Sequence, residues 1–187
     1  MDLNAIDMNT ILCDVSAFHA DPSHLISDFL GMPVSALSFG VVGVHHQAKY
    51  IGEYSNDFDV ERLVESIYRQ AGVCNVRFGP SHIAPRFYGV PGYWVNLTFQ
   101  ERQIELFTCR ATPSWMAKTW DERELLMSHV GLLVRDPEIV EPLLRFLAAL
   151  GDDVRVLHYE PSDSIQHTYG HVQRLDTGAV LELVYET

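Results

Sequence analysis

The feature that most constrains this chain is that it repeats its own punctuation. An alternating stretch at 41–51 leads through Ser55-Asn56-Asp57 into a helix stripe of Val60, Leu63, Val64, Ile67 and Ala71, which Gly72 ends. β-prone sequence follows over 76–88, broken by Gly79-Pro80, and 94–99 and 104–108 then flank Glu101-Arg102 as a hairpin. From Ser128 the pattern restarts. A strand at 129–134 leads through Asp136-Pro137 to a second stripe, Val140, Leu143, Leu144, Leu147 and Leu150, stopped by Gly151. Extended runs at 154–159, 168–175 and 179–185 follow, the last two joined across Thr177-Gly178. Each copy reads strand, helix, three strands, so the chain is predicted to be α+β, built of two tandem βαβββ modules. Pro142 is expected to cost the second helix a backbone hydrogen bond.

What lies outside the copies is shorter. Asp21-Pro22 followed by Leu25, Ile26, Phe29 and Leu30, then Gly31, predicts a capped amphipathic helix within an N-terminal helical extension, 1–40. The modules are expected at 41–110 and 127–187. Between them 111–126, with Pro113, Trp115 and Trp120, is too long for a simple turn and reads as a connector or a lid.

Thirteen Lys and Arg against 25 Asp and Glu give a net charge of −12, with no basic run to offset it, so nucleic acid and anionic membrane surfaces are poor partners. The first 48 residues contain neither Lys nor Arg, unlike a secretory or transit leader, and no apolar run approaches the roughly 20 residues that span a bilayer. Cys13, Cys74 and Cys109 make neither a disulfide framework nor a CxxC site, and a reduced, cytoplasmic protein is expected.

Aligning the copies by their helices sets His45 or His46 of the first strand against His129, and Glu105 of the last strand against Glu182. Alternation puts Glu105 with Phe107 against Ile104 and Leu106, and puts Glu182 against Leu181, Leu183 and Tyr185. Both acids therefore turn away from the apolar face expected to pack on the helix. A turn at Thr177-Gly178 would place Gln173 opposite Glu182, and one at Glu101-Arg102 would place Thr98 opposite Glu105. On the first strand, His45 leaves Val42, Val44, Ala48 and Tyr50 on the helix side, whereas His46 would put Gln47 and Lys49 there; pleat favours His45, and a bulge would reverse the choice.

The stretch Ser128-His129-Val130-Gly131-Leu132-Leu133-Val134-Arg135-Asp136 resembles the first strand and helix start of the vicinal oxygen chelate superfamily, and Leu181-Glu182-Leu183-Val184-Tyr185 resembles its terminal strand. That superfamily includes glyoxalase I, methylmalonyl-CoA epimerase, extradiol dioxygenases and the bleomycin resistance proteins. The resemblance runs from about residue 41 to the C-terminus; with a helix ahead of two modules, the layout is also similar to the bacterial YecM-like group. It implies that the modules form one open mixed β-sheet cup holding a divalent metal on side chains of the first and last strands. The ligands would be His45 or His46, Glu105, His129 and Glu182, though in the family a double His commonly ligates through its second member. Imidazole and carboxylate suit Zn, Ni, Fe or Mn, and four such ligands leave two octahedral positions for a substrate with adjacent oxygens. One glutamate, Glu105 or Glu182, would then move the proton.

Alternation adds further candidates. His167, Tyr169, His171 and Gln173 share the Glu182 face, with His171 as an acid/base group and Tyr169 as a substrate contact. Lys49 and Arg86 could neutralise a substrate carboxylate, and Phe87, Tyr88, Tyr93, Trp94, Trp115 and Trp120 could line a pocket. The expected function is a metal-dependent isomerase, epimerase or lyase acting on a small oxygen-bearing metabolite. The alternatives are a non-catalytic, drug-sequestering cup, or an Fe(II)-dependent dioxygenase, against which a fourth protein ligand counts. Two modules in one chain can complete one cup, so a homodimer is compatible with the site but not required.

Overall fold

The boundaries of the elements follow local chemistry. In a computed structural model that describes residues 7–17, 21–150, 153–162 and 167–187, helix α2 (Pro22–Leu30) begins where the Asp21 carboxylate accepts from the backbone N–H groups of Ser23 and His24. It ends at Gly31, whose φ of 69° is left-handed. Ahead of it lies a helix the sequence did not announce, α1 (Met8–Ser16), capped by Asp7.

The first module runs β1 (Val41–Tyr54), α3 (Asp57–Tyr68), β2 (Val73–Pro80), α4 (Ile83–Tyr88), β3 (Gly92–Phe99) and β4 (Arg102–Arg110). Asp59 starts α3 by accepting from the N–H groups of Ser55 and Asn56, and of the predicted stripe Val60, Leu63, Val64 and Ile67 are buried, whereas Ala71 lies past the helix end and is exposed. The segment expected to stay extended through Tyr88 turns helical after Pro80, because the Ser81 hydroxyl accepts from Ala84 N–H and Gly89 closes the turn at a φ of 66°. The stretch 111–126 holds α5 (Pro113–Met116) and the start of α6 (Trp120–Met127).

The second module runs β5 (His129–Val134), α7 (Val140–Ala149), β6 (Val154–Glu160), β7 (Thr168–Arg174) and β8 (Val180–Tyr185). Pro142 sits in the first turn of α7, where N–H groups have no intrahelical acceptor, so the hydrogen bond expected to be lost there is not lost. Of the predicted stripe Val140, Leu143, Leu144 and Leu147 are buried, each worth roughly 1.5–3 kcal/mol, whereas Leu150 caps the helix end and is exposed. Gly151, expected to stop this helix, lies outside the described residues.

Tertiary contacts divide the chain into two units, Met1–Phe18 with His46–Ser128 and His19–His45 with His129–Thr187. In the first, β1 pairs parallel with β4, and β3 pairs antiparallel with both β4 and β2. In the second, β5 pairs parallel with β8, and β7 antiparallel with both β8 and β6. The strand order is β2-β3-β4-β1 in the first unit and β5-β8-β7-β6 in the second, each a mixed arrangement with one parallel and two antiparallel pairings. The α+β class and the doubled βαβββ pattern are therefore as the sequence predicts.

Each unit has its own core. In the first, α1 and α3 pack with Val95, Leu97, Ile104 and Leu106, and a separate cluster gathers Ala48, Tyr50, Phe107, Cys109 and Trp115. In the second, α2 and α7 pack with Leu132, Val172, Leu181 and Leu183. No helix among the described residues is long and apolar enough to cross a membrane.

Candidate metal centre

In the first unit Ala48 of β1 stands directly opposite Glu105 of β4, so His46, two residues before Ala48, shares the Glu105 face. His46 Nε2 lies 3.5 Å from Glu105 Oε2, with both side chains largely buried. The neighbours of Glu105 along the strand, Ile104 and Leu106, point the other way into the α3 core.

The second unit repeats this relation. Gly131 of β5 stands opposite Glu182 of β8, and His129 precedes Gly131 by two residues. His129 Nε2 is 3.6 Å from Glu182 Oε2, and the two side chains are only 4% and 8% exposed. In both units the residue facing the glutamate is small, Ala48 in the first and Gly131 in the second. Each pair thus presents an imidazole and a carboxylate of the kind that hold a divalent metal.

His45 is placed differently. Its Nε2 is 2.9 Å from Glu186 Oε2, and His167 Nε2 approaches the other oxygen of Glu186 at 3.4 Å. The hydrogen bond from His45, helped by its charge and that of His167, holds the Glu186 carboxyl below the ordinary range. The preference for His45 assumed that the apolar side of β1 is the α3 side. In fact Ala48 and Tyr50 share the Glu105 face and pack in the cluster with Phe107 and Trp115, and Val42 is 51% exposed. Polarity alone does not distinguish the faces of a strand buried on both.

The two hairpins also differ from expectation. The β3–β4 turn is Gln100-Glu101, with φ of 48° and 67°, so Asn96 stands opposite Glu105 and Thr98 faces Gln103. The connection from β7 to β8 takes five residues, 175–179, with Gly178 N–H donating to the Arg174 carbonyl, so His171 stands opposite Glu182. Gln173 instead faces Val180 and accepts from Arg155 at 2.8 Å. His171 Nε2 lies 3.5 Å from Glu182 Oε1. His158, which the sequence reading passed over, pairs with His171 across β6 and β7 because the register slips between Val156 and His158.

Of the predicted substrate contacts, Tyr169 lies near His171, its ring 5.9 Å away at 90°. Lys49 Nζ is 3.5 Å from Glu124, and Arg86 lies over the Phe87 ring on α4. The Trp115 indole donates to the Tyr50 hydroxyl, which donates to Glu53, and Arg123 lies 2.7 Å from the same Glu53 oxygen. This buried network fastens α5 and α6 to β1. Burial and the hydrogen bond to Glu53 push the Tyr50 hydroxyl far above its ordinary range. Burial works to raise the Glu53 carboxyl, but the hydrogen bond from Tyr50 and nearby positive charge, that of Arg123 included, leave it below its usual value.

No family model matches the chain, and no curated protein matches it. Among solved structures, methylmalonyl-CoA epimerase from Mycobacterium tuberculosis is similar at 17% identity and a TM-score of 0.49, over 79% of this chain and 90% of that one. A mutant 4-hydroxymandelate synthase from Streptomyces coelicolor is similar at 9% and 0.47, over 77% of this chain and 48% of that one. The structural-genomics protein EC4020 is similar at 14% and 0.42, over 100% of this chain and 92% of that one.

Proposed function

We propose that His46, Glu105, His129 and Glu182 act together as ligands to one divalent cation, and that the protein is a metal-dependent isomerase, epimerase or lyase of the vicinal oxygen chelate type. The observation that carries this is the matched register. In each unit a histidine stands two residues ahead of a small residue that faces a glutamate, with nitrogen and oxygen 3.5 and 3.6 Å apart. Such placement has a direct use in metal ligation and no evident use in packing, since the residues flanking each glutamate already fill the helix-side core.

When bound, the cation would supply Lewis-acid stabilisation to an oxyanion developing on a substrate with adjacent oxygens. The chain's own contribution is positional. One of the two glutamates, Glu105 or Glu182, takes a proton from a substrate carbon and returns it, and Tyr169, on the Glu182 face, is the substrate contact best placed for that half. Zn, Ni, Fe and Mn all suit this donor set. The substrate is a small oxygen-bearing metabolite, in a reducing, cytoplasmic setting where Cys13, Cys74 and Cys109 stay thiols.

Metal content and turnover together test the proposal. Purified without a His tag, the protein should carry a stoichiometric divalent metal, and Glu182→Gln should lose both metal and activity. Ligand binding indifferent to EDTA would favour a sequestering cup instead, and oxygen consumption with Fe(II) would favour a dioxygenase.

A further inference from the structure

Glu182 meets an imidazole on each of its two oxygens. His129 Nε2 stands 3.6 Å from Oε2, and His171 Nε2 stands 3.5 Å from Oε1. The two imidazoles do different work if the carboxylate is to bind a metal, because a glutamate with both oxygens available can swing between one-point and two-point ligation, whereas one with an oxygen tied down offers only the other. We infer that His171 is a positioning residue for metal binding: it ties down Oε1 of Glu182 and so presents Oε2 alone, on the His129 side, to the cation.

Three observations support this. His171 is 7% exposed, so its Nε2 faces the carboxylate with little competition from water. Its ring is boxed by three others, His129 at 5.1 Å and 85°, Tyr169 at 5.9 Å and 90°, and His158 at 6.4 Å and 39°. Contacts at these separations and angles fix the orientation of an imidazole as well as its position. Finally, β7 brings His171 directly opposite Glu182, so the contact is built into the sheet register.

The inference rests on the metal site proposed above, and the test separates the two. Zn²⁺ affinity is measured by competition with a chromophoric chelator for the wild type, His171→Phe, His171→Gln, His158→Phe and Glu182→Gln, with circular dichroism of each metal-free protein as the folding control. His171→Phe keeps a ring in the box and removes the N–H; it should weaken Zn²⁺ binding about 10–100-fold, the usual loss for a partner of a metal ligand. His171→Gln, which restores a donor, should bind more tightly than His171→Phe, and His158→Phe should match the wild type. An unchanged affinity in His171→Phe overturns the inference, as does a loss as complete as that of Glu182→Gln, which would make His171 a ligand. A Gln variant no better than Phe, or a His158→Phe as weak as His171→Phe, overturns it too, because ring packing would then be the whole effect. A wild type that binds no Zn²⁺, Ni²⁺ or Mn²⁺ defeats the metal site itself.

Discussion

The two units share one relation and differ in what surrounds it. In both, a first-strand histidine precedes by two the residue facing a last-strand glutamate, which is Ala48 in the first and Gly131 in the second. Across the hairpin, however, Glu105 faces Asn96 whereas Glu182 faces His171. The Glu105 face also continues into a buried cluster of Tyr50, Phe107 and Trp115, fastened by Glu53 and Arg123. The difference teaches which parts of a duplicated module are held by its chemistry and which are free to diverge. The strand pair that sets imidazole against carboxylate is kept, and the cross-strand partner and the covering helices are not.

The largest expected effect tests the shared relation. Glu105→Gln and Glu182→Gln should each lower divalent-metal affinity by more than about 100-fold, measured by chelator competition, since either removes a charged ligand. A large loss from only one would break the equivalence of the halves. Next comes the neighbouring pair of histidines. His46→Ala should cost nearly as much metal affinity as Glu105→Gln, while His45→Ala, whose partner is Glu186, should leave it unchanged.

A third prediction exploits the network that the first unit alone carries. Glu53→Gln leaves Arg123 buried without its carboxylate and should cost about 3 kcal/mol in urea unfolding. The folded carboxyl of Glu53 lies below its ordinary 4.5, so its contribution is complete above that pH and is lost as pH falls through the folded value. The stability difference between wild type and Glu53→Gln should accordingly shrink on acidification below about pH 4.5. A difference that stays constant from pH 7 to pH 3 would refute the coupling.

The smallest effect concerns the hairpins. The second unit closes its turn with Gly178 at a φ of 83°, whereas the first places Gln100 and Glu101 in the left-handed region. Glu101→Gly should stabilise the protein by about 1 kcal/mol, read as a rise in the urea midpoint, because a side chain in that region is strained. No rise would mean that the turn relaxes without help.

Much of this was legible from residues alone, and the exceptions have physical causes. The stripes of α3 and α7, apart from their last members Ala71 and Leu150, and the caps of α2 sit where their spacing and punctuation put them, because burial of one helix face imposes a period that polarity reports directly. The strand face that Glu105 and Glu182 take was also readable, since each strand carrying them has its other face on a helix core. The choice between His45 and His46 was not, because β1 is apolar-lined on both faces near Ala48, Tyr50 and Ile51. Hairpin registers escaped for a related reason. Gln100-Glu101 carries no glycine or asparagine to announce its turn, and moving a turn by one residue changes which side chain faces Glu105 from Thr98 to Asn96. The partner of His171 was hidden by a register slip in β6, which no alternation rule predicts.

The central claim is that two matched pairs make one metal site, and elemental analysis of the untagged protein addresses it most directly. One equivalent of divalent metal per chain in the wild type, falling to background in both Glu105→Gln and Glu182→Gln, is the predicted result. Wild-type protein that holds no divalent metal after equilibration with Zn²⁺, Ni²⁺, Fe²⁺ or Mn²⁺, or that keeps it in both variants, would contradict the claim.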